Sequence, residues 1–103
     1  MITAVTEATF QNEVNDHPGH VVIDFYTPSC PPCRAMAPIL DQVAAEHPEI
    51  KVVKIDAAAE QDLAVQFGIT VVPTFVLVAD GARKAQITGL RSKKDLVKWL
   101  GGN

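Results

Sequence analysis

One run of residues, Val21-Val22-Ile23-Asp24-Phe25-Tyr26, limits the folds open to this chain. It is almost continuously apolar and β-branched, without the alternation of a half-solvated strand, so it reads as a strand covered on both faces. Such a strand needs strands beside it and helices above and below, which is the layering of an α/β domain. Only Thr27-Pro28-Ser29 separates the run from Cys30.

The rest of the chain supplies that frame. Ile2 to Val5 fits a short edge strand, and Thr6 is placed to cap a helix over about Glu7 to Asn15, with Phe10 and Val14 on one face. His17-Pro18-Gly19 ends it. Pro31 to about Glu46 is predicted helical, because Met36, Ile39, Leu40, Val43 and Ala44 recur at helical spacing and Pro31 suits the first helical position. Pro38 inside it predicts a kink. Ile50 to Ile55 reads as a second buried strand, and about Glu60 to Phe67 as a short helix stopped by Gly68.

Thr74 to Ala79 and Arg83 to Thr88 read as strands joined through Asp80-Gly81, a strong hairpin signal. Ser92 opens a last helix with Asp95 as a weak capping-box partner and Leu96, Val97, Trp99 and Leu100 as its apolar residues. The order is β-α-β-α-β-α-β-β-α, a central mixed sheet of five strands flanked by four helices. Phe10, Phe25, Phe67, Phe75 and Trp99 are read as packing residues, and Met36 as a core gap-filler.

With 103 residues, 48% hydrophobic and 20% charged, the chain fits a single domain over residues 1–103 that builds a core without disulfide staples. Its formal net charge of −3, with no basic block, argues against nucleic-acid and anionic-membrane partners. No stretch reaches the roughly 18 apolar residues of a membrane span. The amino terminus lacks a basic region followed by an apolar one, so the cytoplasm is the expected compartment. A structural disulfide is unusual there, and a close cysteine pair reads as redox-active or metal-binding.

Cys30-Pro31-Pro32-Cys33 falls where the buried strand gives way to a helix. Cys30 is then the N-cap, its sulfur facing the positive helix end and free amides that favour the thiolate. Cys33, one turn in, is shielded. The asymmetry suits Cys30 as nucleophile on a substrate disulfide and Cys33 as the resolving thiol that closes Cys30–Cys33 and frees the reduced product. Asp24 interrupts an apolar strand, where a buried carboxylate has a raised pKa unless it is paired; the bland alternative is a strand-end Asp near solvent. Pro73 cannot donate to a ladder, so it starts a strand or occupies a special turn.

These residues, with Ala37-Pro38-Ile39-Leu40-Asp41, Lys54, Phe67-Gly68-Ile69, Val72-Pro73-Thr74, Asp80-Gly81 and Gly89, resemble the thioredoxin family over essentially the whole chain. The resemblance implies a thioredoxin fold and a dithiol that reduces protein disulfides without a bound cofactor. Its electrons come from a partner reductase, NADPH-dependent thioredoxin reductase being the usual one. It further implies that Asp24 relays the Cys33 proton with Lys54 as its charge partner, and that Val72–Pro73 is cis. Ser29, Val72, Pro73 and Gly89 then contact substrate, with Val72 pairing an extended segment. A monomer is expected.

Two departures stand out. The family commonly has Trp before the first cysteine and Gly-Pro between the two, where this chain has Ser29 and Pro31-Pro32. Ser29 makes the docking surface smaller and more polar. Pro31 and Pro32 remove amides from the first turn, leaving those of Cys33 and Arg34 to tune the thiolate and favouring a reducing potential. Pro32 also disfavours helical geometry at Pro31, so the first turn is expected late or strained. The competing readings are a dithiol oxidase or isomerase, a reductase dedicated to one partner, and a non-catalytic binding module. A zinc site is a further rival, joining the cysteines to His17 and His20.

Overall fold

In the computed structural model, which describes residues 2–101, the strands β1 (Thr3–Ala4), β2 (His20–Tyr26), β3 (Ile50–Asp56), β4 (Thr74–Ala79) and β5 (Ala82–Thr88) form one sheet. Its order is β1-β3-β2-β4-β5, with β1 and β2 parallel to β3, and β4 antiparallel to both β2 and β5. The helices α1 (Pro31–Glu46), α2 (Gln61–Gln66) and α3 (Lys93–Gly101) and a π-helical segment, Gln11–Asn15, flank it. The expected α/β thioredoxin architecture is therefore present. The central run is buried from Val21 to Phe25, as a strand covered on both faces must be.

Two apolar layers hold the sheet between them. Val21, Ile23 and Phe25 point to one face and pack with Phe10, Val14, Leu63 and Phe67. Val22 points to the other, with Met36, Leu40 and Val43 of α1, Leu96 and Leu100 of α3, and Phe75. Side chains alternate along a strand, so Asp24 shares the face of Val22 and lies on the α1 side. Trp99 packs against that same layer.

The amino-terminal helix differs from expectation. Thr6 does not cap it: the Thr6 amide donates to Thr9 Oγ1 at 3.0 Å, and Thr9 N–H donates to the Thr6 carbonyl at 3.1 Å. A hydroxyl that bonds its own turn competes with the helix ladder. The chain recovers as a π-helical segment closed by Asp16 N–H on the Gln11 carbonyl at 2.8 Å, which still buries Phe10 and Val14.

α1 begins at Pro31 and runs through Pro38 as one helix, so the first turn starts on time despite the paired prolines. Pro31 has no N–H, and that removes one of the groups a following proline ring would strike. Ser92 Oγ accepts from the Asp95 amide at 3.1 Å, capping α3 as expected. The hairpin turn carries Asp80 at φ 49° and Gly81 at φ 82°, the left-handed pair that a two-residue turn requires. A Cβ on Gly81 would stand 3.1 Å from the Asn15 carbonyl oxygen, so backbone also closes the space there.

Candidate active site

The site lies at the carboxyl end of β2, where the strand passes through Thr27-Pro28-Ser29 into α1. Cys30 is the N-cap of α1, extended at φ −102° and ψ 106°, and Cys33 stands one turn in. They are joined as a disulfide, and both are nearly covered, at 8% and 5% exposure. Pro31, Pro32 and Ser29 around them are exposed.

The Cys33 amide donates to Cys30 Sγ at 3.2 Å. Arg34 does not share this task, contrary to expectation: its amide goes to the Cys30 carbonyl at 3.1 Å as the first helical bond. N-cap side chains draw on the second and third helical amides. Pro32 has removed the second, Cys33 supplies the third, and the amide missing at Pro31 is one that a cap rarely engages.

Behind the disulfide, Asp24 is 6% exposed and its Oδ1 has no hydrogen-bond partner among the described residues. Burial raises its pKa to about 7, and the nearby Lys54 charge lowers it only in part. Asp24 and Lys54 are partners in the β2–β3 register, but no direct ion pair joins them among the described residues. Lys54 is exposed, with its ammonium 6.0 Å from the Tyr26 ring centroid. A cavity of about 170 Å³ connects Asp24 and Cys33, lined also by Tyr26, Thr27, Arg34 and Lys54. Tyr26 escaped the sequence reading; its place at the end of the apolar run was the available signal.

Across from the disulfide, the Val72–Pro73 bond is cis and Pro73 is buried. The Val72 carbonyl oxygen lies 3.9 Å from Cys30 Sγ, and Gly89 N–H donates to the Pro73 carbonyl at 2.8 Å. Cys30, Val72, Pro73 and Gly89 thus meet at one rim. The zinc reading fails on distance. His20 opens β2 and Cys30 follows its far end, so a seven-residue strand, roughly 20 Å at 3.3 Å per residue, lies between them. No group of three or more His, Cys, Asp or Glu among the described residues is arranged to hold a metal. No helix among them is long and apolar enough to cross a membrane.

Comparison with known proteins gives a consistent picture. The family model described as Thioredoxin matches residues 1–101. The chain is 38% identical over 98 residues to thioredoxin 1 of Synechococcus elongatus, covering 94% of this chain and 92% of that protein. It is 35% identical over 100 residues to a thioredoxin of Chlamydia muridarum, covering 97% and 96%. With a thioredoxin of Pseudomonas aeruginosa the identity is 35% over 103 residues, covering 99% and 95%.

Proposed function

The chain belongs to the thioredoxin family and is a protein-disulfide reductase, and from that premise we propose how its residues divide the reaction. The observation that carries the reading is the Cys33 amide held 3.2 Å from Cys30 Sγ at the head of α1. In the reduced form that amide and the helix end favour a thiolate on Cys30. The Cys30 thiolate attacks one sulfur of a target disulfide; a Cys30–target bond forms, the target S–S bond breaks, and the leaving thiolate takes a proton from solvent.

Asp24 then accepts the Cys33 proton through the cavity they share. The Cys33 thiolate attacks Cys30 Sγ, closing Cys30–Cys33 and releasing the second target thiolate. Two electrons have passed to the target. The dithiol is itself the carrier, so no bound cofactor is needed, and a partner reductase drawing on NADPH returns the electrons. Lys54 moderates the Asp24 charge, Pro31 and Pro32 set the potential, and Ser29, Val72, Pro73 and Gly89 receive the target chain. The protein acts as a monomer in the cytoplasm, in cellular redox homeostasis.

The test is trapping. Cys33→Ser with a disulfide-bonded target accumulates an adduct with the mass of both chains, and Cys30→Ser accumulates none. Adducts on Cys33 instead, or a Cys30–Cys33 couple nearer −180 to −120 mV than about −270 mV, would overturn the assignment in favour of an altered mechanism, or of an isomerase or oxidase.

A further inference from the structure

The charges around the cysteine rim run against those of the whole chain. The protein is formally −3, yet the exposed charges beside the cysteines are cationic: Arg34 and Lys54 line the cavity that Cys33 shares with the buried Asp24, and Arg91 comes two residues after Gly89 at the rim. Arg34, exposed on the first turn of α1, donates through Nη1 to the Pro28 carbonyl at 3.1 Å. Arg91 lies on the segment that follows β5. The segment leading to it is fixed to the rim at Gly89, which bonds Pro73, and is tied to α1 by the Arg91 amide on Met36 Sδ at 3.4 Å.

Among the described residues neither guanidinium is in an ion pair. The ion pairs among the described residues engage Glu13, Glu46 and Glu49 and reach neither arginine. Asp56, the last residue of β3, and Glu60 accept the backbone amides of Ala58, Ala59 and Glu7. Asp95 on the first turn of α3 and Asp41 on α1 are exposed and pair with neither. Among the described residues the Arg91 guanidinium has one bond, Nη2 to the Thr88 carbonyl at 2.9 Å, and its Nε is buried without a partner.

A guanidinium carries five donors, and an orphaned charged donor is costly. Arg91 as a whole is only half-buried, and a carboxylate arriving from outside suits the fork geometry of a guanidinium better than one carbonyl does. Leu90, between Gly89 and Arg91, is 59% exposed and offers the apolar contact beside it.

We propose that Arg34 and Arg91 make this rim selective for target proteins that carry a carboxylate close to the disulfide to be reduced. The proposal rests on the reductase reading and adds its substrate class. Ser29 fits the same picture, because a rim without a large apolar side chain at that position leans more on charge complementarity for specificity.

The experiment uses cyclic disulfide peptides identical except for Glu, Gln or Lys flanking one cysteine, and thioether-bridged copies that bind without being reduced. At low ionic strength the Glu peptide is expected to show a kcat/KM about tenfold above the Lys peptide. The thioether copies rank the same way in binding, and 0.5 M salt narrows the gap. The double variant Arg34→Gln, Arg91→Gln brings the Glu-to-Lys ratio towards one, whereas Arg34→Lys, Arg91→Lys retains a preference. Equal binding of the three thioether peptides, or a ratio unchanged by the Gln substitutions, overturns the proposal. Uncharged 2-hydroxyethyl disulfide separates the two readings: its failure to be reduced rejects the reductase, while the thioether ranking still decides the charge preference.

Discussion

Asp24 and Lys54 face each other in register across β2 and β3, yet the carboxylate is buried with an unpartnered oxygen while the lysine extends towards Tyr26. The pair is a neighbour effect rather than a salt bridge. Burial therefore dominates and raises the carboxyl pKa to about 7, the range that the proposed proton relay needs.

That titration makes a stability prediction. Between the ordinary carboxylate range and about 7 the folded chain holds a proton on Asp24 that the unfolded chain has lost, so stability falls as pH rises through this window. Asp24→Asn removes the effect and is expected to be more stable than the parent at pH 8 by up to about 4 kcal/mol, at 1.36 kcal/mol per pKa unit, with little difference at pH 4. Urea unfolding at both values checks it. In single-turnover reduction the variant also loses the ionisation near neutrality. A parallel pH dependence of parent and variant would refute the relay.

The two prolines between the cysteines are not equivalent. Pro32→Ala restores the second helical amide, which can reach Cys30 Sγ, and is expected to lower the thiol pKa and raise the potential by a few tens of mV. Pro31→Ala restores an amide that a cap seldom uses and shifts it much less. Glutathione equilibration measures both, and equal shifts would count against the capping argument.

Ser29 is exposed beside Cys30. Ser29→Trp adds a large rigid contact surface at the rim, and kcat/KM on an uncharged peptide disulfide is expected to rise about tenfold, equivalent to about 1.4 kcal/mol. An unchanged value would mean that targets do not touch this position.

Gly81→Ala tests the hairpin. The substitution forces a Cβ into a left-handed residue and to 3.1 Å from the Asn15 carbonyl oxygen, at a cost of about 1–2 kcal/mol. Thermal unfolding should fall by several degrees for a domain of this size, without loss of reductase activity.

The sequence displayed much of this because its strongest signals are local. A lone carboxylate in the run from Val21 to Tyr26 marks Asp24, and Pro31 at a helix start places Cys30 as the cap. Asp80-Gly81 fixes the hairpin. The π-helical segment was hidden because it turns on one competing bond, between Thr6 and Thr9. The division of amides at Cys30 was hidden because capping depends on backbone geometry that spacing does not encode. Arg91 carried no periodicity or motif, and it is the ties of Gly89 to Pro73 and of the Arg91 amide to Met36 that fix its segment.

β2 is bonded to β3 along its whole length and to β4 from His20 to Phe25. Amide hydrogens there exchange with solvent only when the domain opens globally, whereas those of the loops at Ser29 and Leu90 exchange through small local openings. Asp24, the proposed proton relay, is thus mounted on a strand whose amides are expected to exchange slowly, and the residues proposed to receive the target on loops whose amides are expected to exchange faster. Partners can be gripped and released at the loop's tempo without the sheet ever opening.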